Sequence, residues 1–147
     1  TLTYYNYMDF AHPDTSLAWF YSTSDMIRTL HREYGFRVWF GETEPNKRVS
    51  FMLFHVMAES LWNVDIDFRD VVRDLCDHYY GPVADEMYAY TMVMEQAVRA
   101  SEAWKQEKWT PVNHQDIPME ILQREMKTLE KIAEEVRNDP VLTRRVA

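Results

Sequence analysis

The chain has 147 residues, of which 46% are hydrophobic and 14% aromatic, and its formal net charge is −8. This length suits one domain or part of one, with enough apolar residues for a packed core. A strongly acidic chain is poorly suited to a phosphate backbone, so nucleic-acid binding is not expected. No apolar run approaches the roughly 18 residues of a membrane span. The single cysteine, Cys76, excludes an internal disulfide.

Two short segments rich in β-forming residues are predicted strands, near Tyr4–Met8 and Arg37–Phe40. Between them, apolar residues recur at helical spacing from Leu17 to Tyr34, and Gly35 is placed to end that helix in the left-handed conformation. A strand, a helix of this length and a second strand form a βαβ unit. The two strands are therefore expected to be parallel, with a right-handed crossover.

A helix over about residues 48–62 is apolar on most sides, which is typical of a helix covered on two faces. Trp62, at its end, is expected to be buried. The next helix, over about residues 67–79, is predicted to begin at an aspartate cap, either Asp65 or Asp67. Gly81 is expected to end it with a positive φ.

Further amphipathic helices are predicted towards the end of the chain. Pro82 suits the first turn of one of them, and Asp116 is expected to cap the next. Asp139 and Pro140 together have the sequence of another helix start. The helix after Asp116 is predicted to bury one apolar stripe: Ile121, Leu122, Met126, Leu129, Ile132, Ala133 and Val136.

These elements predict a mostly helical α/β chain. Two parallel strands do not make an independent sheet with buried faces. Residues 1–62 are therefore expected to be the C-terminal βαβα part of a (β/α)8 barrel of the TIM type, and residues 63–147 a helical appendage. The chain is accordingly expected to be a fragment of a larger parent.

Polar residues follow both predicted strands. In (β/α) barrels the active site lies at the carboxyl ends of the strands. This rule selects Asp9 and His12 after the first strand and Glu42 and Glu44 after the second, with Glu42 as the catalytic candidate. The alternative is that Glu42 and Glu44 cap the next helix or lie exposed in a loop.

Aromatic residues on the same strands are candidates for substrate binding. Tyr5 and Tyr7 are on the first strand and Trp39 is on the second. Rings stack on the apolar faces of sugars, while carboxylates grip hydroxyls or act as acid and base. The competing interpretation is that all three aromatic residues belong to the core.

No cofactor or metal is predicted. The five histidines are far apart and include no HExxH pair. Asp65, Asp67 and Asp70 lack the central glycine of a calcium loop, so helix capping explains them better. Cys76 lies on the apolar stripe of its helix and is interpreted as a buried, inert thiol.

A set of motifs follows the second strand: Leu61-Trp62-Asn63, Asp67, Tyr79-Tyr80-Gly81, Met87 and Tyr90. In these motifs the chain resembles a bacterial family of large, secreted, glycoside-hydrolase-like proteins. That family carries a conserved domain of unknown function and is distantly similar to α-glucuronidases. The resemblance spans about Tyr4 to Tyr90, and Glu42 is the one candidate that matches a recurring family position.

The resemblance implies a barrel that acts on polysaccharide or oligosaccharide outside the cytoplasm, in a secreted or periplasmic protein. The expected partners are a carbohydrate and the remainder of the parent chain. The main alternative is a non-catalytic carbohydrate-binding or structural helical module. A purely helical protein-interaction domain is a third hypothesis, suggested by the acidic helices. A second carboxylate on an upstream strand of the parent would favour the enzyme.

Overall fold

The structure, a computed structural model, describes residues 2–7, 20–42, 50–100 and 117–146, and these residues are mostly helical. The strands are β1 (Leu2–Tyr7) and β2 (Phe36–Glu42). The helices are α1 (Phe20–Tyr34), α2 (Ser50–Trp62), α3 (Phe68–Tyr80), α4 (Ala84–Ala100), α5 (Met119–Val136) and α6 (Pro140–Val146), with a 3-10 turn at Gly81–Val83. Within the described ranges, no helix is long and apolar enough to cross a membrane.

The two strands pair in parallel, as the strand–helix–strand spacing predicts. Thr3 pairs with Val38, and the register then continues without a shift until Tyr7 pairs with Glu42. Strand β2 extends two residues beyond the predicted end at Phe40, and Glu42 is its last residue. A barrel of this class has eight strands and two are described, so the barrel part of the predicted fold stays a prediction.

Helix α1 connects the strands and ends at Gly35, whose φ of 69° confirms the predicted left-handed stop. It packs against α2. Ser24 of α1 contacts Ser60, and Arg28, one turn later, contacts Val64 just past the end of α2. The contacts advance in the same direction along both segments, so α1 and α2 are parallel to each other.

The prediction that Trp62 is buried is wrong. Its side chain is 89% exposed, whereas Met52, Val56 and Ser60 of the same helix are buried. The buried residues follow the four-residue spacing of one helix face. Trp62 is rotated by about 120° from the centre of that face, at 100° per residue. The apolar character of α2 on most sides did not reveal which side lacks a cover.

The chain divides into two compact units, Thr1–Val71 and Val72–Ala147, and the division falls inside α3. Helix α3 buries Phe68, Val71, Val72 and Cys76, which belong to its predicted apolar stripe. Asp67 caps the helix, since its Oδ1 accepts a hydrogen bond from the backbone N–H of Arg69 at 2.9 Å. The predicted aspartate cap is confirmed.

In the second unit, Gly81 has a φ of 55°, which confirms its predicted role at the end of α3. Pro82 lies in the 3-10 turn that leads into α4, where an amide donor is not needed. Asp139 caps α6, because its Oδ1 accepts hydrogen bonds from the N–H groups of Val141 and Leu142 at 2.8 and 3.0 Å. The predicted cap Asp116 lies outside the described residues.

Helix α5 corrects part of a predicted stripe. Ile132 and Val136 are buried as expected, but Met126 is 59% exposed and Ala133 is also exposed. Glu125 is buried instead. Met126 directly follows the buried Glu125, and Ala133 directly follows the buried Ile132. The face of α5 that is buried is therefore rotated away from the centre of the predicted apolar stripe. Hydrophobicity alone favoured Met126 over its acidic neighbour.

Candidate functional site

The carboxyl ends of β1 and β2 form the predicted site. Tyr7 and Glu42 are register partners and are the last residues of their strands, so the backbone brings these two positions together at one edge. Asp9, His12 and Glu44 lie outside the described residues. At the level of the backbone, the structure therefore unites one predicted aromatic residue with the predicted catalytic carboxylate.

The other two predicted aromatic residues are further from this edge. Tyr5 pairs with Phe40, and Trp39 pairs with Tyr4. The Trp39 residue is partly buried and its indole nitrogen is fully buried. A buried nitrogen favours the core interpretation of Trp39 over an open stacking platform.

A second polar region surrounds the loop between α2 and α3, and Arg28 of α1 holds it in place. The Arg28 Nε donates to the carbonyl oxygen of Val64 at 3.0 Å, and Nη2 donates to that of Ile66 at 3.4 Å. Asp25 lies 3.6 Å from Nη1. A guanidinium satisfies two loop carbonyls at once because its donors have a fixed, planar spacing.

The aspartates of this loop are paired with arginines of the flanking helices α1 and α3. Asp65 forms an ion pair with Arg32, and Asp67 receives Arg69 Nη1 at 3.2 Å. Asp67 also caps α3, as described above. Among the described residues, no group of three His, Cys, Asp or Glu side chains could hold a metal ion.

A cavity of about 210 Å³ opens between α1 and this loop. It is lined by Tyr21, Ser24, Arg28, Asp65, Asp67, Phe68 and Arg69. The sequence analysis missed this site. Its members lie in two separate stretches of the sequence, residues 21–28 and 65–69, and only the packing of α1 beside the end of α2 brings them together.

Polar contacts in the second unit have structural roles. Arg73 of α3 donates to Asp85 at 2.7 Å and lies 4.1 Å from the ring centroid of Tyr88, which fastens α3 to α4. Arg145 of α6 donates to the carbonyl oxygen of Tyr79 at 2.6 Å and lies over its ring. These arginines join helices and enclose no reacting group.

Two acidic side chains, Glu95 of α4 and Glu125 of α5, are buried in the second unit. The Glu125 Oε1 accepts from Arg124 Nε at 2.7 Å. Burial raises the pKa of the Tyr90 hydroxyl, and the nearby Glu125 carboxylate raises it further. The sequence analysis missed both acids. Glu125 lies among other charged helix residues, which hides it, whereas Glu95 is the one charged residue in the stretch from Tyr88 to Val98, a signal that could have identified it.

Cys76 is fully buried, as the sequence analysis expected. Burial raises the pKa of its thiol to about 11. At neutral pH the thiol is therefore protonated and is not a nucleophile.

No family model, curated protein or solved structure matches this chain. The resemblance to glycoside-hydrolase-like proteins accordingly stays a prediction. Among the residues that the structure describes, the strand ends and the cavity are the two places whose geometry supports a function.

Proposed function

We propose that this chain is part of a carbohydrate-active, glycoside-hydrolase-like protein, and that the carboxyl ends of β1 and β2 line its substrate site. One observation carries the proposal: the parallel register sets Glu42 beside Tyr7 where both strands end. In (β/α) proteins, ligands bind at the carboxyl ends of parallel strands. A carboxylate there meets substrate instead of forming part of the strand core.

The arrangement of the helices supports the same architecture. Successive βα units of a barrel place their helices side by side and parallel. Helices α1 and α2 lie side by side and parallel, as the contacts from Ser24 to Ser60 and from Arg28 to Val64 indicate. The proposal assigns the remaining barrel strands, and the second carboxylate that glycoside hydrolysis requires, to a larger parent chain.

In this proposal Glu42 acts as the acid or base of hydrolysis, or grips a sugar hydroxyl. Asp9, His12 and Glu44 belong to the same edge by sequence and would supply polar contacts to substrate. Tyr5, Tyr7 and Trp39 would supply apolar contacts, with Tyr7 the nearest to Glu42 along the register. The substrate is a polysaccharide or oligosaccharide encountered outside the cytoplasm.

The test is a Glu42→Gln substitution in the full-length parent protein, assayed for turnover on plant and host glycans. Loss of turnover with unchanged folding is the expected result, because the amide can neither donate nor accept the catalytic proton. Glu33→Gln is the matched control, since Glu33 is an exposed glutamate on α1. Full activity of Glu42→Gln would contradict the proposal.

A non-catalytic module is the second candidate, and the mostly helical character of the chain favours it. It would hold glycan or support neighbouring domains without hydrolysing any bond. A parent protein that binds glycans through the same edge, but shows no turnover on the whole panel, would establish this function instead.

A further inference from the structure

The cavity between α1 and the α2–α3 loop contains a buried hydroxyl with unused bonding capacity. Ser24 and Ser60 are 4% and 1% exposed, and their Oγ atoms are 2.7 Å apart. A serine hydroxyl has one hydrogen to donate and two lone pairs. Whichever serine donates, Ser24 keeps a hydrogen or a lone pair for another group. Ser24 also lines the cavity, and its remaining bonding capacity is therefore close to whatever occupies it.

The rim of the cavity carries equal numbers of opposite charges. Asp65 and Asp67 contribute two carboxylates, and Arg28 and Arg69 contribute two guanidiniums. Arg69 uses Nη1 for its hydrogen bonds to Asp67, so Nε and Nη2 have further donors. The four rim side chains have a net charge of zero, so a charged ligand gains little electrostatic attraction from them. Hydroxyl groups, which both donate and accept, match it well.

The wall of the cavity is aromatic. The rings of Tyr21 and Phe68 meet edge to face, with centroids 6.3 Å apart. The Arg69 guanidinium lies over one face of the Phe68 ring, 5.0 Å from its centroid, so it borders the aromatic wall. An aromatic surface beside polar groups suits the C–H face of a sugar or a cyclic polyol.

The volume suits a small ligand, of about one ring. The cavity measures about 210 Å³. It is more than ten times the ~10–15 Å³ that a cavity needs, on the same measure, to hold one water. It is smaller than the ~300 Å³ at which pockets for drug-sized ligands begin.

We propose that this cavity is a binding site for a single neutral sugar ring, a monosaccharide or the terminal unit of a glycan. The Ser24 hydroxyl contacts the ligand at the base, Asp67 and Arg69 grip its hydroxyls at the rim, and Tyr21 and Phe68 cover its apolar face. All the lining residues lie in α1, the α2–α3 loop or the first turn of α3. The site therefore shares no residue with the strand ends. A test of sugar binding in the cavity and a test of the proposed function at the strand ends can each fail without the other.

The test is an NMR titration of the ¹⁵N-labelled chain with glucose, galactose, mannose and xylose. Sodium acetate and methylammonium chloride serve as charged probes. We expect saturable shifts in the amides of residues 21–28 and 64–69 with at least one sugar, at a Kd of about 1–10 mM, as befits a small, weakly held ligand. Shifts with the charged probes alone, or none with any sugar, would overturn the proposal and leave water as the occupant.

Variants then identify the contacts. Arg69→Gln is expected to weaken sugar binding about tenfold, the loss expected for one charge-assisted hydrogen bond. Arg144→Gln, an exposed arginine on α6, is its control. Ser24→Ala should also weaken binding, whereas Thr29→Ala on the same helix should not. Arg69 is itself exposed, so its variant is expected to fold, and unchanged affinity in folded Arg69→Gln would contradict the site.

Discussion

Val56 and Trp62 lie six positions apart on α2, yet Val56 is fully buried and the Trp62 side chain is 89% exposed. Both are apolar residues, and the sequence favours burial for each. The cost of removing a side chain depends on the contacts that it makes. The larger residue therefore contributes less to the free energy of unfolding.

We expect Trp62→Ala to change the free energy of unfolding by less than about 0.5 kcal/mol, as for other exposed substitutions. Val56→Ala should cost about 2 kcal/mol, because it leaves a cavity at a closed position. Urea denaturation of both variants, followed by far-UV circular dichroism, measures the difference. A larger loss for Trp62→Ala than for Val56→Ala would mean that the indole is covered.

Cys76 makes stability depend on pH at the alkaline end. Burial raises its pKa from 9.0 to about 11 in the folded chain. Between these two values the unfolded chain releases the proton while the folded chain retains it, so the free energy of unfolding falls as pH rises. From about pH 8 to pH 10 the loss due to this thiol should be about 1 kcal/mol.

This pH dependence is tested by urea unfolding at a series of pH values. The unmodified chain is compared with Cys76→Ala. Between about pH 8 and pH 10, the free energy of unfolding should fall less for Cys76→Ala than for the unmodified chain. The comparison uses this change with pH, so a difference in stability at pH 8 does not affect it. The range stops near pH 10 because burial also raises the pKa of Tyr80 and Tyr90. Identical pH slopes for the two proteins would show that the Cys76 thiol is accessible to solvent.

At the scale of single elements, the helix ends follow local chemistry. Asp67 and Asp139 bind the first free amides of α3 and α6, and Gly35 and Gly81 end α1 and α3 at positive φ. Each of these signals acts over two or three residues. They need no tertiary contact, and this is why the sequence predicted them.

Gly81→Ala should destabilise the chain by about 1 kcal/mol, because a side chain disfavours the left-handed conformation. A β-carbon added at Gly81 meets no atom within 4 Å, so the cost comes from the backbone and not from a clash. Gly81→Asn is the matched control and should lose less, since asparagine tolerates positive φ. Chemical denaturation of the two variants gives the comparison. Equal stability of Gly81→Ala and the unmodified chain would mean that the turn adopts another conformation.

At the scale of the whole chain, two strands and six helices are described, in two compact units. The parallel pairing of β1 and β2 could be predicted, because a helix of α1's length between two strands favours a crossover over a hairpin. A full barrel needs more strands than the two that are described, so it stays a prediction. The proposed site at the strand ends depends on this pairing. The cavity beside α1 depends on the packing of α1 against α2.

The sequence by itself determined the succession of strands and helices, the caps at Asp67 and Asp139, the glycine stops and the buried state of Cys76. These depend on neighbouring residues and on periodicity, which the sequence contains. Tertiary structure alone decided that Trp62 is exposed, that Glu125 replaces Met126 on the buried face of α5, and that Ser24 meets Ser60 beside a polar cavity. Those outcomes depend on which face of each helix another element covers, and an apolar or mixed face does not specify its own partner.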